Sequence, residues 1–175
     1  SDPTYGIIPQ NEIDYLVAER RRKIRTDRIH AIDIVDRESI DWLFRIYQPE
    51  IVIHLASFPR QKVVSANPVW GSEVMSTGLV HLLEETRKNN IPKFVYISSS
   101  MVYGDFNDDV IEDAVCSPQG QYGIMKLAGE MLVKDYAKRT NMAATILRPS
   151  AVYGPLDVED RVVSKFLLSA MRNET

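Results

Sequence analysis

The 175-residue chain lacks both Gly-x-Gly-x-x-Gly and Gly-x-x-Gly-x-x-Gly; its nearest glycine pair, Gly120 and Gly123, brackets Tyr122 and follows no strand-like run. These residues therefore present no glycine loop opening a helix, the usual receptor for a pyrophosphate. The single cysteine, Cys116, excludes an internal disulfide. It lies in the loop-like Val115-Cys116-Ser117-Pro118 with no neighbouring histidine to activate it as a nucleophile. His30, His54 and His81 show no metal-ligand spacing, and His54, inside an apolar run, reads as a satisfied core histidine. No apolar run is long enough for a membrane span or a signal peptide. With 21 basic against 24 acidic residues and a net charge of −3, no global field recruits nucleic acid or an anionic membrane. A reducing cytoplasm is the expected compartment.

What is present alternates between two periods. After a loop-like start at residues 1–9, a charged helix is expected from Glu12 to about Arg25, with Arg20-Arg21-Arg22-Lys23 as a solvated face. A strand follows at Arg28–Ile34, then a helix opening at Asp36-Arg37-Glu38-Ser39 and running through Tyr47. Ile51–Ala56 reads as a buried strand, and Asn67-Pro68 opens a helix to Lys88 interrupted at Gly71 and Gly78. A strand at Phe94 ends in Ser98-Ser99-Ser100, and a loop spans Tyr103 to Gly120. Helix Gln121–Lys138, strand Ala143–Leu147 and helix Val158–Met171 complete the order. Strands alternating with helices of this length predict an α/β, Rossmann-like, doubly wound parallel sheet, here partial, in one domain over residues 1–175.

The chemistry concentrates in Tyr122-Gly123-Ile124-Met125-Lys126. On a helix, positions four apart share a face, so Tyr122 and Lys126 can enter one cleft. A nearby ammonium favours phenolate over phenol and makes Tyr122 a usable proton acceptor. Ser99, at the end of a strand, can hold a substrate oxygen, and ligands of open α/β sheets sit beyond the strands' carboxyl ends.

Four runs in order, Val52-Ile53-His54-Leu55-Ala56, Ser98-Ser99-Ser100-Met101-Val102-Tyr103-Gly104, Tyr122 to Lys126, and Leu147-Arg148-Pro149-Ser150-Ala151-Val152-Tyr153-Gly154-Pro155, resemble the extended short-chain dehydrogenase/reductase family. Its best-known members are nucleotide-sugar epimerases and dehydratases. The resemblance implies catalysis by Ser99, Tyr122 and Lys126 and an NAD cofactor, with NADP left open. Lys126 would hold the nicotinamide ribose, and Pro149 and Ser150 would flank the nicotinamide. Asp33 and Ile34 match an adenine-contacting pair, and Leu55, Ala56 and Ser57 a turn beneath the cofactor. Tyr103, Arg148 and Tyr153 read as framework, Arg148 as a partner for local carbonyls or acids.

Three departures from the family pattern fall at four positions. Ser100 and Met101 stand where sugar 4,6-dehydratases carry an Asp and a Glu, which disfavours dehydration. Val74 and Ala151 replace asparagines that contact the active site and the substrate in many relatives. The implied activity is epimerisation of a nucleotide sugar by transient oxidation. A sugar-nucleotide or carbonyl reductase or dehydrogenase is the alternative within the fold, and a non-catalytic dinucleotide-sensing scaffold the alternative outside enzymes. The resemblance further implies a possible homodimer.

By the same resemblance the chain reads as the middle of a longer protein, without the first strand and glycine loop and without a carboxyl-terminal substrate region. A missing central strand leaves its neighbours with unpaired edges. A polypeptide confined to these 175 residues is accordingly expected neither to melt cooperatively nor to bind NAD. Calorimetry and an NAD titration check this, and a sharp two-state melt with saturable binding overturns it.

Overall fold

The computed structural model describes residues 10–58, 61–105, 109–154 and 162–173. The expected loop at residues 1–9 and the first residues of the expected last helix lie outside them. The chain divides into two compact units, one of residues 30–150 and one joining residues 1–29 to 151–175.

The smaller unit contains helix α1, Gln10–Lys23, and helix α7, Val162–Arg172. The basic run ends α1, where cations complement the helix dipole. Arg22 pairs with Glu19 at 2.9 Å, one turn earlier. This is the solvated, internally paired face that the sequence predicts.

The larger unit is built on a three-stranded parallel sheet of β1 (Ile51–His54), β2 (Lys93–Ile97) and β3 (Ala143–Leu147), in that spatial order. Ile51 lies opposite Lys93 and His54 opposite Tyr96, while Lys93 lies opposite Ala143 and Ile97 opposite Leu147. Helix α2, Arg37–Tyr47, precedes β1 and is capped by Asp36, whose carboxylate accepts the N–H groups of Glu38 and Ser39. Between β1 and β2 run α3 (Gln61–Ala66), α4 (Pro68–Ser72), a π-helical turn (Glu73–Gly78) and α5 (Leu79–Lys88). Between β2 and β3 come a 3₁₀ turn (Ser100–Tyr103) and the long α6 (Gly120–Arg139).

Several expectations change: the strand expected to be buried over Ile51–Ala56 pairs only over Ile51–His54 and leaves Ile51, Ile53 and Leu55 exposed, because one face of the sheet carries no described helix. Arg28–Ile34 forms no strand: among the described residues no strand pairs with it, and a strand exists only as a hydrogen-bonded ladder. Its Ile32 and Ile34 still pack against the core. The helix expected to break at Gly71 and Gly78 instead runs on from Pro68 to Lys88, accommodating an extra residue through the π turn.

Alternation along β2 decides where the core lies. Phe94 and Tyr96 face one side and join Ile40 and Phe44 of α2, Leu79, Leu82 and Leu83 of α5, and Val133 and Tyr136 of α6. Each large side chain buried here contributes roughly 1.5–3 kcal/mol of transfer free energy. The opposite face carries Ile51, Ile53, Leu55 and Leu147, all exposed. Helix α6 meets β2 closely at Gly129, where a Cβ would collide with the Tyr96 hydroxyl. Glycine there lets the helix axis approach the strand and seats Tyr96 beneath it.

His54, at the end of β1, is buried as the sequence predicts, but among the described residues its Nδ1 finds no hydrogen-bond partner. Its ring stacks on Tyr96 at a centroid distance of 5.8 Å. Burial, with the Lys126 charge second, lowers its pKa from 6.5 to about 4. The unfolded chain thus takes up a proton as pH falls through 6.5, whereas the folded chain does so only near 4. Stability drains away across that window at up to ~1.4 kcal/mol per pH unit. In the full protein, urea midpoints measured from pH 7 to 4 are expected to fall more steeply in the wild type than in His54→Phe.

Candidate active site

The carboxyl ends of the three strands share one edge of the sheet, and the sequence-predicted residues gather there. Leu55 and Ala56 follow β1 and are exposed, while Ser57 is half-buried with its hydroxyl directed to the Phe58 carbonyl at 3.4 Å. Ser99 follows β2, and Pro149 and Ser150 follow β3. Asp33 and Ile34 precede α2 in the chain. The Asp33 carboxylate turns onto the Val35 N–H at 3.0 Å, leaving its second oxygen outward. Ile34 packs against Gly78 and the core, and its carbonyl lies 3.3 Å from His81 Nδ1.

Helix α6 supplies the phenol and the ammonium. Gly120 begins it, and the four-residue spacing puts Tyr122 and Lys126 on the same side. The Tyr122 ring packs against an apolar cluster of Phe58, Val64 and Met75, with Val63, Val74 and Met125 around it. Val74 and Met75 belong to the π turn, so that irregularity presents side chains to the active-site helix. Val74 and the phenol ring thus pack against the same buried cluster.

Lys126 is 4% exposed and donates to the Ile97 carbonyl at 2.7 Å. Its Nζ stands 5.8 Å from the Tyr122 ring centroid and 5.3 Å from that of Tyr96. Burial lowers its pKa from 10.5 to about 8, so it is still cationic at neutral pH. Tyr96, by contrast, is pushed up by burial, with the Glu130 charge adding to the shift, and stays a phenol.

Ser99 caps the 3₁₀ turn, its Oγ accepting the Met101 N–H at 3.2 Å. That turn packs on the start of α6: a Cβ at Gly123 would lie 2.8 Å from the Met101 carbonyl. Ser99 thus lies on a turn that packs against the start of α6, the helix that carries Tyr122 and Lys126. The three residues offer a hydroxyl, a phenol and a buried cation, the parts of a proton-transfer site.

Glu130 and Ser98 escape a reading of single motifs. Glu130 is fully buried and accepts from Ser98 Oγ at 2.6 Å and from Arg148 at 2.8 and 2.7 Å. Arg148 also donates to the Tyr103 hydroxyl and the Glu112 carbonyl, both at 2.8 Å, the framework role expected for it. Burial raises the Glu130 pKa, but the Arg148 and Ser98 hydrogen bonds outweigh it and hold the carboxylate below its usual range. The available signal was spacing, since Glu130 continues the Tyr122, Lys126 series by four.

Among the described residues no group of His, Cys, Asp and Glu side chains forms a metal site, and no helix is long and apolar enough to cross a membrane. A sequence profile of the NAD dependent epimerase/dehydratase family matches residues 8–174. The dTDP-D-glucose 4,6-dehydratase of Dictyostelium discoideum is 27% identical over 154 residues, covering 81% of this chain and 36% of that protein. The UDP-glucose 4-epimerase of Thermotoga maritima, solved with UDP-glucose, superposes with a TM-score of 0.79 at 25% identity, over 94% of this chain and 60% of that one. The UDP-glucuronic acid 4-epimerase of Bacillus cereus, solved with UDP-glucuronic acid and NAD, gives 0.77 at 26% identity, over 92% and 52%. The chain spans at most half the length of the curated relatives it matches, 36% of one and 50% of others.

The buried lysine carries a cost. A pKa lowered from 10.5 to about 8 corresponds to a penalty of about 3 kcal/mol, present in full below pH 8 and gone above 10.5. In the full protein, the urea midpoint of Lys126→Met at pH 7 is expected to equal or exceed that of the wild type. The wild type should close that gap as pH rises from 8 towards 10.5.

Proposed function

The chain belongs to the NAD dependent epimerase/dehydratase family, and from that premise we propose that it carries the catalytic centre of an NAD-dependent nucleotide-sugar epimerase. The observation that carries this reading is the buried Lys126 ammonium beside the Tyr122 phenol, with Ser99 on the adjoining turn. The cation stabilises phenolate, so Tyr122 takes the proton of the sugar hydroxyl under oxidation and later returns it. Ser99 Oγ holds that hydroxyl oxygen and keeps it in line with the phenol. Lys126, fixed by the Ile97 carbonyl, has ammonium hydrogens left for a ribose hydroxyl.

The nicotinamide end of the dinucleotide fits these residues. Exposed Leu55 and Ala56, half-buried Ser57, and Pro149 and Ser150 border the strand ends without a bulky polar side chain. When bound, the dinucleotide supplies a hydride acceptor and, once reduced, a hydride donor. No glycine loop for its pyrophosphate occurs in the chain, and Asp33 offers the adenine only its outward carboxylate oxygen.

Epimerisation is favoured over dehydration although the Dictyostelium relative is a dehydratase. Ser100 and Met101, which follow Ser99 in the 3₁₀ turn, cannot act as the acid and base of an elimination. Ala151 favours a second reading, a reductase or dehydrogenase acting on a different carbonyl substrate, because it withdraws an amide from substrate recognition. The two separate by absorbance at the nicotinamide band: epimerisation leaves no net change, whereas reduction consumes reduced cofactor.

With UDP-glucose, UDP-glucuronic acid and dTDP-glucose as probes and NAD present, Tyr122→Phe is expected to lose at least ~100-fold in turnover. Chromatography of the sugar products reads the outcome. Turnover near the wild-type rate would remove the catalytic reading of Tyr122 and with it both enzyme assignments.

A further inference from the structure

We infer that Glu130 is a positioning residue that sets the Ser99 hydroxyl against the Tyr122 phenol by tying Ser98 to the active-site helix. The inference rests on the reading of Ser99 and Tyr122 as the proton-transfer pair. Its physical basis begins with alternation. Ser99 is extended, at φ −161° and ψ 150°, so the side chains of Ser98 and Ser99 leave opposite sides of the chain. Ser98 is 2% exposed and its Oγ points inward to Glu130 Oε1 at 2.6 Å. Ser99 Oγ consequently points the other way, where it meets the Met101 N–H. Holding the first hydroxyl orients the second.

The backbone around Ser99 is clamped from β3 as well. The Ser98 N–H donates to the Leu147 carbonyl at 2.7 Å and the Ser100 N–H to the Pro149 carbonyl at 3.0 Å. Arg148 lies between those acceptors, and its Nε and Nη2 close on the two Glu130 oxygens. A bidentate guanidinium–carboxylate pair fixes orientation as well as distance. Glu130 therefore receives one hydrogen bond from the end of β2 and two from the residue after β3.

Helix α6 is thereby indexed along β2 by two successive rungs. Lys126 donates to the Ile97 carbonyl, and Glu130, one turn on, accepts from Ser98, the next residue of the strand. A slide or rotation of α6 that displaced Tyr122 from Ser99 would break both. Lys134, a further turn along, reaches Glu130 only at 3.9 Å and is exposed, so it adds little to the indexing.

Ser98→Ala and Glu130→Gln test the inference in the full protein. Ser98→Ala removes one oxygen from a buried site and leaves the Glu130–Arg148 pair intact, so it decides the question if Glu130→Gln fails to fold. Native-state amide exchange followed by NMR at Ser100 and Met101 is expected to accelerate about tenfold or more in each variant, with β1 amides unchanged. With UDP-glucose and NAD, kcat is expected to fall about tenfold or more while KM stays within about twofold, the pattern of a misplaced reacting group. The double variant should be no slower than the slower single variant, because both cut one link. Wild-type exchange at Ser100 and Met101, or losses in kcat that multiply, would overturn the inference. Unimpaired turnover by Tyr122→Phe would remove the catalytic premise instead, and the exchange measurement still decides whether Glu130 orders the Ser99 turn.

Discussion

A carboxylate with no exposure to water can stay ionised only where cations and donors replace its hydration, and Glu130 is such a group. It accepts from Ser98 at the end of β2 and from Arg148 just past β3, with Lys134 more distant at 3.9 Å, and Arg148 in turn donates to the Tyr103 hydroxyl and the Glu112 carbonyl. The demand of one charge for compensation thus gathers the ends of two strands, the 3₁₀ turn and the loop before α6. Removing one partner would leave buried charge unmatched, which costs several kcal/mol. The site edge of the larger unit depends on that balance more than on any apolar contact.

Around Tyr122 the balance runs the other way. Lys126 and His54 are both nearly excluded from solvent, and each has its protonated form disfavoured by burial. The lysine keeps its proton at neutral pH because burial lowers its pKa only to about 8, and its charge in turn helps keep His54 neutral. Stability is given up to hold a cation beside a phenol, a trade characteristic of sites shaped for proton transfer.

The parts of the fold legible in the sequence are those governed by local period. Strand β3 and helix α6 fall within a residue or two of expectation, since their apolar spacing and the turn signals beside them agree. The segment Arg28–Ile34 has the composition of a strand but not its structure, because pairing is a property of two segments and no partner strand lies among the described residues. The π turn was equally hidden. Gly71 and Gly78 looked like breaks, yet both are buried against neighbours, Val64 and Ile34, in a helix that continues through them.

For the site, residue types and spacing put Tyr122 and Lys126 forward, because i, i+4 geometry is a local fact, while the family resemblance singled out Ser99 among the three serines that follow β2. The sequence also determined the departures at Ser100 and Met101 that weigh against elimination chemistry. Only the tertiary structure decided what surrounds them: that Lys126 is buried against a carbonyl, that His54 keeps a nitrogen unpartnered among the described residues, and that Glu130, 18 residues before Arg148, pairs with it. Burial and long-range pairing depend on which segments meet, and no spacing along a chain encodes that meeting.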